Sequence, residues 1–358
     1  MKVLIVNAIL YTSETHCVKK VSSIDDCMIY DLCLAFQKAG HEVTLFAAED
    51  YRPTEQTEFP FEIVWAKTKL TKLFPANVLP YCPYIRKLLK DRDFDLVITS
   101  EVFSLLSLMV VRHARCKVIV WQELAKHNNL LHKLPSKFWY NIIARLFFRD
   151  VTVVGRSNSA RKFISHYCNN VAPTFIDHGV NPDKFRPRAD KEKFFIIPSQ
   201  LIQRKQIDLS IQAFSEFAAE NGDYSLYIFG EGEERENLET YAAICGVSDR
   251  VKFFGKVPHE TLTEYLAKAS AMLVYTRKDN NMISVVESIA CATPVVTTSV
   301  PYNAAYIKKY QLGIVSDNWG KDELNEIINS NSFYVNNCIN YREELSDNRR
   351  VKQFLELR

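Results

Sequence analysis

Residues 271–298 read AMLVYTRKDNNMISVVESIACATPVVTT, and the succession of local patterns in this stretch decides the fold. Ala271 to Tyr275 is a short unbroken apolar run, the pattern of a parallel strand covered on both faces. A polar loop follows from Thr276 to Asn281. Met282 to Cys291 then reads as a helix with Ile283, Val286, Ile289 and Ala290 on one face. Thr293-Pro294 ends that helix, and Val295 to Thr298 begins the next strand. Strand, loop, helix start and strand in this order place free backbone N–H groups and a positive dipole end at the mouth of a sheet, where an anionic ligand would bind. Asp279 in the loop and Glu287 in the helix stand eight residues apart. Glu287 shares its helix with the apolar face, whereas a purely structural charge belongs on the solvent side. An ordinary α/β unit with a partly buried glutamate accounts for the fold of this stretch alone.

Composition sets the frame around it. A chain of 358 residues is too long for one ordinary core and predicts two domains. Hydrophobic and charged contents of 47% and 24% are those of a globular protein. The nine cysteines have no C-x-x-C spacing, which predicts reduced thiols in a cytosol and neither a disulfide frame nor a zinc site. Lys2 to Asn7 runs straight into a strand without a signal-peptide h-region, and no apolar stretch reaches a bilayer span. The expected location is therefore cytoplasmic. Charge is uneven: residues 1–180 hold 23 Lys/Arg against 17 Asp/Glu, and residues 181–358 hold 22 against 25. A basic half beside an acidic half hints at an anionic surface partner for the first.

Taken in order, residues 2–7 form a strand, 25–39 a helix closed by Gly40, and 41–46 the next strand, one right-handed βαβ unit. No G-x-G-x-x-G follows the first strand, which argues against a dinucleotide-binding protein. Residues 66–92 alternate basic and apolar groups, and Pro75, Pro80 and Pro83 break them into short pieces. They read either as an irregular solvated connection ending in a helix or as a surface resting on anionic lipid headgroups. A second basic–aromatic stretch at 126–149 favours the lipid reading, and no nucleic-acid-binding module accompanies these charges. Strands are expected at 94–99, 117–121 and 151–154, with helices at 102–112 and 159–167. Gly and Pro punctuation from Ile176 to Pro187 marks a linker. Beyond it, strands at 194–198, 224–229, 251–254 and 313–315 alternate with helices at 233–244, 259–269 and 322–328. The tail, Tyr341 to Arg358, reads as a charged amphipathic helix.

Asp279, seven residues, Glu287 and then Ala290-Cys291-Ala292-Thr293-Pro294-Val295-Val296 resemble the hallmark of the retaining GT-B glycosyltransferases of family 4: two acids at this spacing followed by A-C-G-T-P-V-V. Further matches are A-G-H-E-V-T-L-F at 39–46, Gly179, Phe185 and Pro187 of the interdomain phrase, Lys205 and Asp208 of G-R-L-x-x-x-K-G-h-D, and Gly230-Glu231-Gly232. The chain departs from the pattern at Asp279 for Glu, Asn280-Asn281-Met282 for Gly-Phe-Gly, Gln200 for Arg, and Ser199 and Gln206 for Gly. Tyr11 to His16 replaces a Gly-Gly loop.

The resemblance implies two facing Rossmann-like domains with parallel sheets and a cleft between them, an acceptor domain at 1–180 and a donor domain at 181–340, with helix 341–358 packing back on the first. It implies retaining transfer of a hexose or N-acetylhexosamine from a nucleotide diphosphate sugar, UDP by family frequency, to a glycan or lipid-linked glycan in cell-surface polysaccharide synthesis. No cofactor and no metal is expected. By the same resemblance Lys205, with Arg204 and Gln200, faces the diphosphate together with the backbone N–H groups of Met282 and Ile283. Asp279 and Asn281 face the donor sugar and Glu287 the ribose hydroxyls. Gly230 and Gly232 approach the nucleotide, and Gly255, Lys256 and Val257 read the base. The family places a His where this chain has Trp121-Gln122-Glu123. Glu123 and His127 are therefore active-site candidates, with a capping Glu and a surface His as the alternatives. A catalytically weak GT-B partner of another transferase and a nucleotide-sugar epimerase are the competing functions.

Overall fold

The computed structural model describes residues 1–11, 18, 20–128, 130–279 and 282–358. The chain divides into two compact units, Met1–Gly179 with Asp347–Arg358, and Val180–Ser346.

The first unit is built on six parallel strands: β1 (Lys2–Val6), β2 (Glu42–Ala48), β3 (Glu62–Ala66), β4 (Leu96–Ser100), β5 (Lys117–Gln122) and β6 (Thr152–Gly155), in the order β3-β2-β1-β4-β5-β6. The second holds β7 (Glu192–Pro198), β8 (Ser225–Phe229), β9 (Val251–Gly255), β10 (Ala269–Val274), β11 (Val295–Thr297) and β12 (Gly313–Val315), in the order β12-β11-β10-β7-β8-β9. Counted from its own first strand, the second sheet repeats the order of the first. Each is a doubly wound sheet whose strand order reverses beside its first strand. Strands β1, β4 and β10 are almost wholly buried, which is why they read as unbroken apolar runs and not as alternations.

Three stretches hold structure beyond the expected elements. Glu62–Ala66 is an edge strand next to β2, although only Ala66 in it is fully buried, so its pattern carries little periodicity. The tail helix expected from Tyr341 starts only at Asp347 and runs to Glu356, after the turn Arg342–Leu345 and Ser346, which bridges to Val180, and a separate helix, Asn331–Tyr341, precedes that turn. Third, the stretch 134–147 is helical, with a π-helical segment at Trp139–Ala144.

Helix Asp347–Glu356 belongs to the core of the first unit. Val351 and Phe354 are buried there, and Phe354 meets Phe36 and the edge of Trp121. Gly179 makes this approach possible: a Cβ at that position would lie 2.4 Å from Asp347 Oδ1 and 2.9 Å from the Asp347 nitrogen.

Candidate active site

In the second unit the strand order reverses between β7 and β10, and the loops leaving those strands carry the charged residues singled out above. The loop after β7 ends in a short turn, Gln203–Lys205, and in Gln206 with φ 44°. Gln206 stands where the resembling motif has Gly. It keeps the left-handed backbone at a cost of about 1 kcal/mol for an L side chain. Ala292 does the same after helix Ile283–Ala290, with φ 61°, in place of the Gly of A-C-G-T-P. Both substitutions change the residue and leave the path of the chain.

These two loops are tied to each other. Lys205 Nζ donates to Asp279 Oδ2 at 2.8 Å, Arg204 Nη1 donates to Asp279 Oδ1 at 3.0 Å, and Thr276 Oγ1 donates to Oδ2 at 2.6 Å. The Arg277 N–H donates to the Arg204 carbonyl at 2.9 Å, and Arg204 also reaches the Lys278 carbonyl. Burial pushes the Asp279 carboxyl up. The hydrogen bonds from Lys205 and Thr276 and the nearby cations outweigh that and hold it below the usual carboxylate range. Two cations share one carboxylate, so the cluster carries a residual positive charge at the mouth of the sheet.

Glu287 sits in a second polar pair. Its carboxylate is mostly buried, and Oε1 lies 2.9 Å from Nε2 of His259, the first residue of the helix after β9. That contact links the Glu287 helix to the segment following Gly255, Lys256 and Val257. Sequence reading did not single out His259, because the contact spans 28 residues and no local pattern marks it.

The glycines and the Met282 N–H have partners within the fold. Gly230 and Gly232 do permit a close approach, but its partner is the loop after β7. A Cβ on Gly230 would lie 1.9 Å from the Ser199 carbonyl oxygen, and one on Gly232 2.1 Å from that of Leu201. Gly255 is likewise packed, with Glu231 Oε1 2.5 Å from where its Cβ would be. The Met282 N–H, assigned to a diphosphate, donates to the buried Asn303 Oδ1 at 2.7 Å. Ile283 begins the helix itself. Gln200 and Lys256 are exposed, and Val257 is half-buried. Asn281 lies outside the described residues, as do Thr12 to His16 of the first loop.

The first unit has its own polar cluster at the C-terminal ends of β4, β5 and β6. Glu123 is exposed and pairs with Arg156 at 2.8 Å, and the Arg156 guanidinium lies 3.9 Å from the centre of the Trp121 ring. Glu101, which the sequence reading did not single out, holds this turn together. It adopts φ 66°, and its carboxylate accepts the N–H of Glu123 at 2.6 Å and that of Leu124 at 3.3 Å. Burial raises its pKa from 4.5 to about 7. His127 is packed among Tyr140, Phe163 and Tyr167, with Nδ1 against the Ser136 hydroxyl and Nε2 against the Tyr167 hydroxyl. Both ring nitrogens are thus engaged within the fold, and burial lowers its pKa.

The raised pKa of Glu101 has a stability consequence. A carboxyl whose folded pKa exceeds its unfolded one stabilises the folded state while protonated, and this contribution is lost as pH rises through the folded pKa. Between pH 4.5 and about 7 the protein should lose up to about 3 kcal/mol that Glu101→Gln retains. Urea unfolding of both proteins at pH 5 and pH 8 measures it. Parallel pH dependence in the two would remove Glu101 as the source.

Comparison with known proteins adds two family matches. Residues 181–350 match the family described as Glycosyl transferases group 1, and residues 28–184 match Glycosyltransferase Family 4. Among curated relatives, the chain is 24% identical over 295 residues to alpha-monoglucosyldiacylglycerol synthase of Streptococcus pneumoniae, covering 74% of this chain and 66% of that protein. It is 30% identical over 132 residues, 36% of this chain, to an exopolysaccharide phosphotransferase of Streptomyces coelicolor, of which it spans only 14%. Among solved structures, Anabaena HepE in complex with UDP superposes with a TM-score of 0.66 at 13% identity, covering 99% of this chain and 100% of HepE.

Proposed function

The chain belongs to the GT-B glycosyltransferases of family 4, and on that premise we propose that it moves a hexose or N-acetylhexosamine from a UDP-sugar to a hydroxyl of a glycan or lipid-linked glycan, with retention, in cell-surface polysaccharide synthesis. The observation that carries this reading is the pairing of Lys205 and Arg204 with Asp279 where the strand order of the second sheet reverses. An arriving diphosphate competes with one carboxylate for two cations already in place. As the bond from the anomeric carbon to the phosphate oxygen breaks, its electron pair goes to the departing diphosphate, and Lys205 and Arg204 stabilise the growing charge. The acceptor hydroxyl adds on the face the leaving group vacates and passes its proton to a diphosphate oxygen. Fixed cations supply the stabilisation a metal would otherwise give, so we read the reaction as metal-independent. Asp279, released from Lys205, accepts from the sugar hydroxyls, and Glu287, oriented by His259, accepts from the ribose. HepE, the structural neighbour, has been solved with UDP and with UDP-glucose, which favours UDP as the base carrier here.

A donor panel tests the reading. UDP-, GDP- and ADP-sugars are scored by thermal stabilisation, and the product's anomeric configuration is read by NMR. A UDP-sugar should stabilise the protein and yield a product of unchanged anomeric configuration. Stabilisation by none of the three classes would overturn the proposal. Donor binding without turnover would favour a partner protein, and sugar interconversion without acceptor an epimerase.

The same reading includes contact of the first unit with an anionic membrane surface. Leu134, Phe138, Ile142 and Leu146 follow one another at four-residue steps and are 43–68% exposed, while Ser136, Tyr140, Ala144 and Phe148 on the opposite stripe are buried. On a regular helix four-residue steps drift around the axis, and the wider π-helical turns at Trp139–Ala144 take up that drift. Lys133, Lys137, Arg145 and Arg149 flank the apolar stripe and are exposed. Leu70 and Leu73, in the basic stretch 66–92, are also exposed. The unit as a whole carries 27 Lys/Arg against 19 Asp/Glu. Apolar insertion with flanking cations is the chemistry of an interfacial helix; among the described residues no helix is long and apolar enough to cross a membrane. Co-sedimentation with phosphatidylglycerol vesicles should fall several-fold in Phe138→Ser/Leu146→Ser, and less at low salt than at high salt for wild type. Equal sedimentation of wild type and variant would exclude this stripe.

A further inference from the structure

Asp279 occupies the two cations in the way a phosphate would. Its Oδ2 accepts from Lys205 Nζ at 2.8 Å and its Oδ1 from Arg204 Nη1 at 3.0 Å, so both carboxylate oxygens sit on the groups assigned above to the diphosphate. Lys205 and Asp279 are mostly buried, and salt screens such a pair little. Carboxylate and phosphate oxygens are the same kind of acceptor. Two cations that already hold one anion bind a second more weakly than free ones would.

Thr276 fixes which way that carboxylate turns. The residue is 2% exposed, and its hydroxyl donates at 2.6 Å to Asp279 Oδ2, the oxygen that also accepts from Lys205. This hydrogen bond stabilises Asp279 only while it faces Lys205. The loop around it is tied down independently: the Arg277 N–H donates to the Arg204 carbonyl, and Arg204 Nη1 donates to the Lys278 carbonyl. Freeing Lys205 therefore takes a turn of one short side chain and no shift of the loop.

We propose that Asp279 is a displaceable competitor of the diphosphate: it yields Lys205 and Arg204 when the nucleotide-sugar enters, takes them back to expel the nucleotide left after transfer, and is held to that task by Thr276, a positioning residue. The proposal rests on the transfer reading above. Its chemical reason is a change of charge. Cleavage of the sugar–phosphate bond leaves a diphosphate more negative than the one in the donor, so cations that stabilise the leaving charge grip the product more tightly than the donor. A carboxylate already placed on the same cations offsets that excess.

Calorimetry of UDP binding to the full chain at pH 7 tests it. Asp279→Asn keeps the shape and removes the charge, and should bind UDP about tenfold more tightly than wild type. Thr276→Val removes the hydroxyl at nearly constant shape and should tighten UDP about threefold, with Thr276→Ser restoring the wild-type value. A Thr276 that only supported the fold would weaken UDP binding when replaced. In a Lys205→Met background Asp279→Asn should gain about threefold or less, because the contested ammonium is gone. If Asp279→Asn melts well below wild type, the two Thr276 variants decide alone. Saturable UDP binding by wild type with no gain in either Asp279→Asn or Thr276→Val overturns the competition and leaves the transfer reading standing. An equal gain from Asp279→Asn with and without Lys205 also overturns it, since general repulsion of anions would then suffice. Tighter binding in Asp279→Asn alone removes Thr276 from the proposal. No saturable UDP binding by wild type or any variant would sink the UDP-sugar reading itself.

Discussion

Replacing Lys205 by methionine is expected to lower sugar transfer by about 10²–10³-fold, the range seen when a fixed group that stabilises a leaving charge is removed. Lys205 is mostly buried and its ammonium is directed at Asp279 by a 2.8 Å contact, so the charge is positioned before any ligand arrives. The fold should tolerate the change, because Asp279 keeps Arg204 and Thr276 as partners. The effect should therefore appear in kcat more than in melting temperature. If Glu287 holds the ribose as proposed, Glu287→Ala should raise KM for the nucleotide sugar while sparing the reaction of bound donor. If Lys205→Met kept near wild-type kcat, the diphosphate would have to be held elsewhere; full donor affinity in Glu287→Ala would refute the ribose assignment.

Truncating Arg350 to alanine should destabilise the first unit by about 3–5 kcal/mol, the cost of breaking a buried ion pair by removing one member. Arg350 and Asp177 form an ion pair with both side chains buried. Burial already raises the Asp177 pKa against the pull of Arg350, so without the guanidinium an unpaired carboxylate would remain in the interior. His178 beside it cannot take over: burial and the nearby Arg156 and Arg350 push its pKa down to about 3, leaving it neutral. The substitution also loosens helix Asp347–Glu356 from the phenyl and indole rings of Phe36 and Trp121. Urea unfolding at pH 7 measures the loss. The paired variant Asp177→Asn/Arg350→Met, which removes both charges, should recover much of it. A loss below about 1 kcal/mol in Arg350→Ala would show that the pair is solvated in solution.

Much of this protein is written locally. Apolar runs such as Ala271 to Val274 mark parallel strands wherever a sheet is covered on both faces. The loop residues between them carried enough pattern to single out Lys205, Asp279 and Glu287. Where a strand hides less, as at Glu62–Ala66 on the sheet edge, the pattern disappears and with it the prediction. The same holds at 134–147, where four-residue apolar steps match no regular helical period until the π-helical segment is known.

The sequence by itself determined the two α/β units, most of their strands and helices, and which loops would carry charge, because these follow from periodicity within about a dozen residues. Only the tertiary structure decided who meets whom. It set Asp279 against Lys205 across 74 residues and Glu287 against His259 across 28. It gave the Met282 N–H to Asn303 and turned the Gly230 approach toward a neighbouring loop. A hydrogen bond depends on distance in space, and distance between remote residues is set by how whole sheets and helices pack, which no local pattern records.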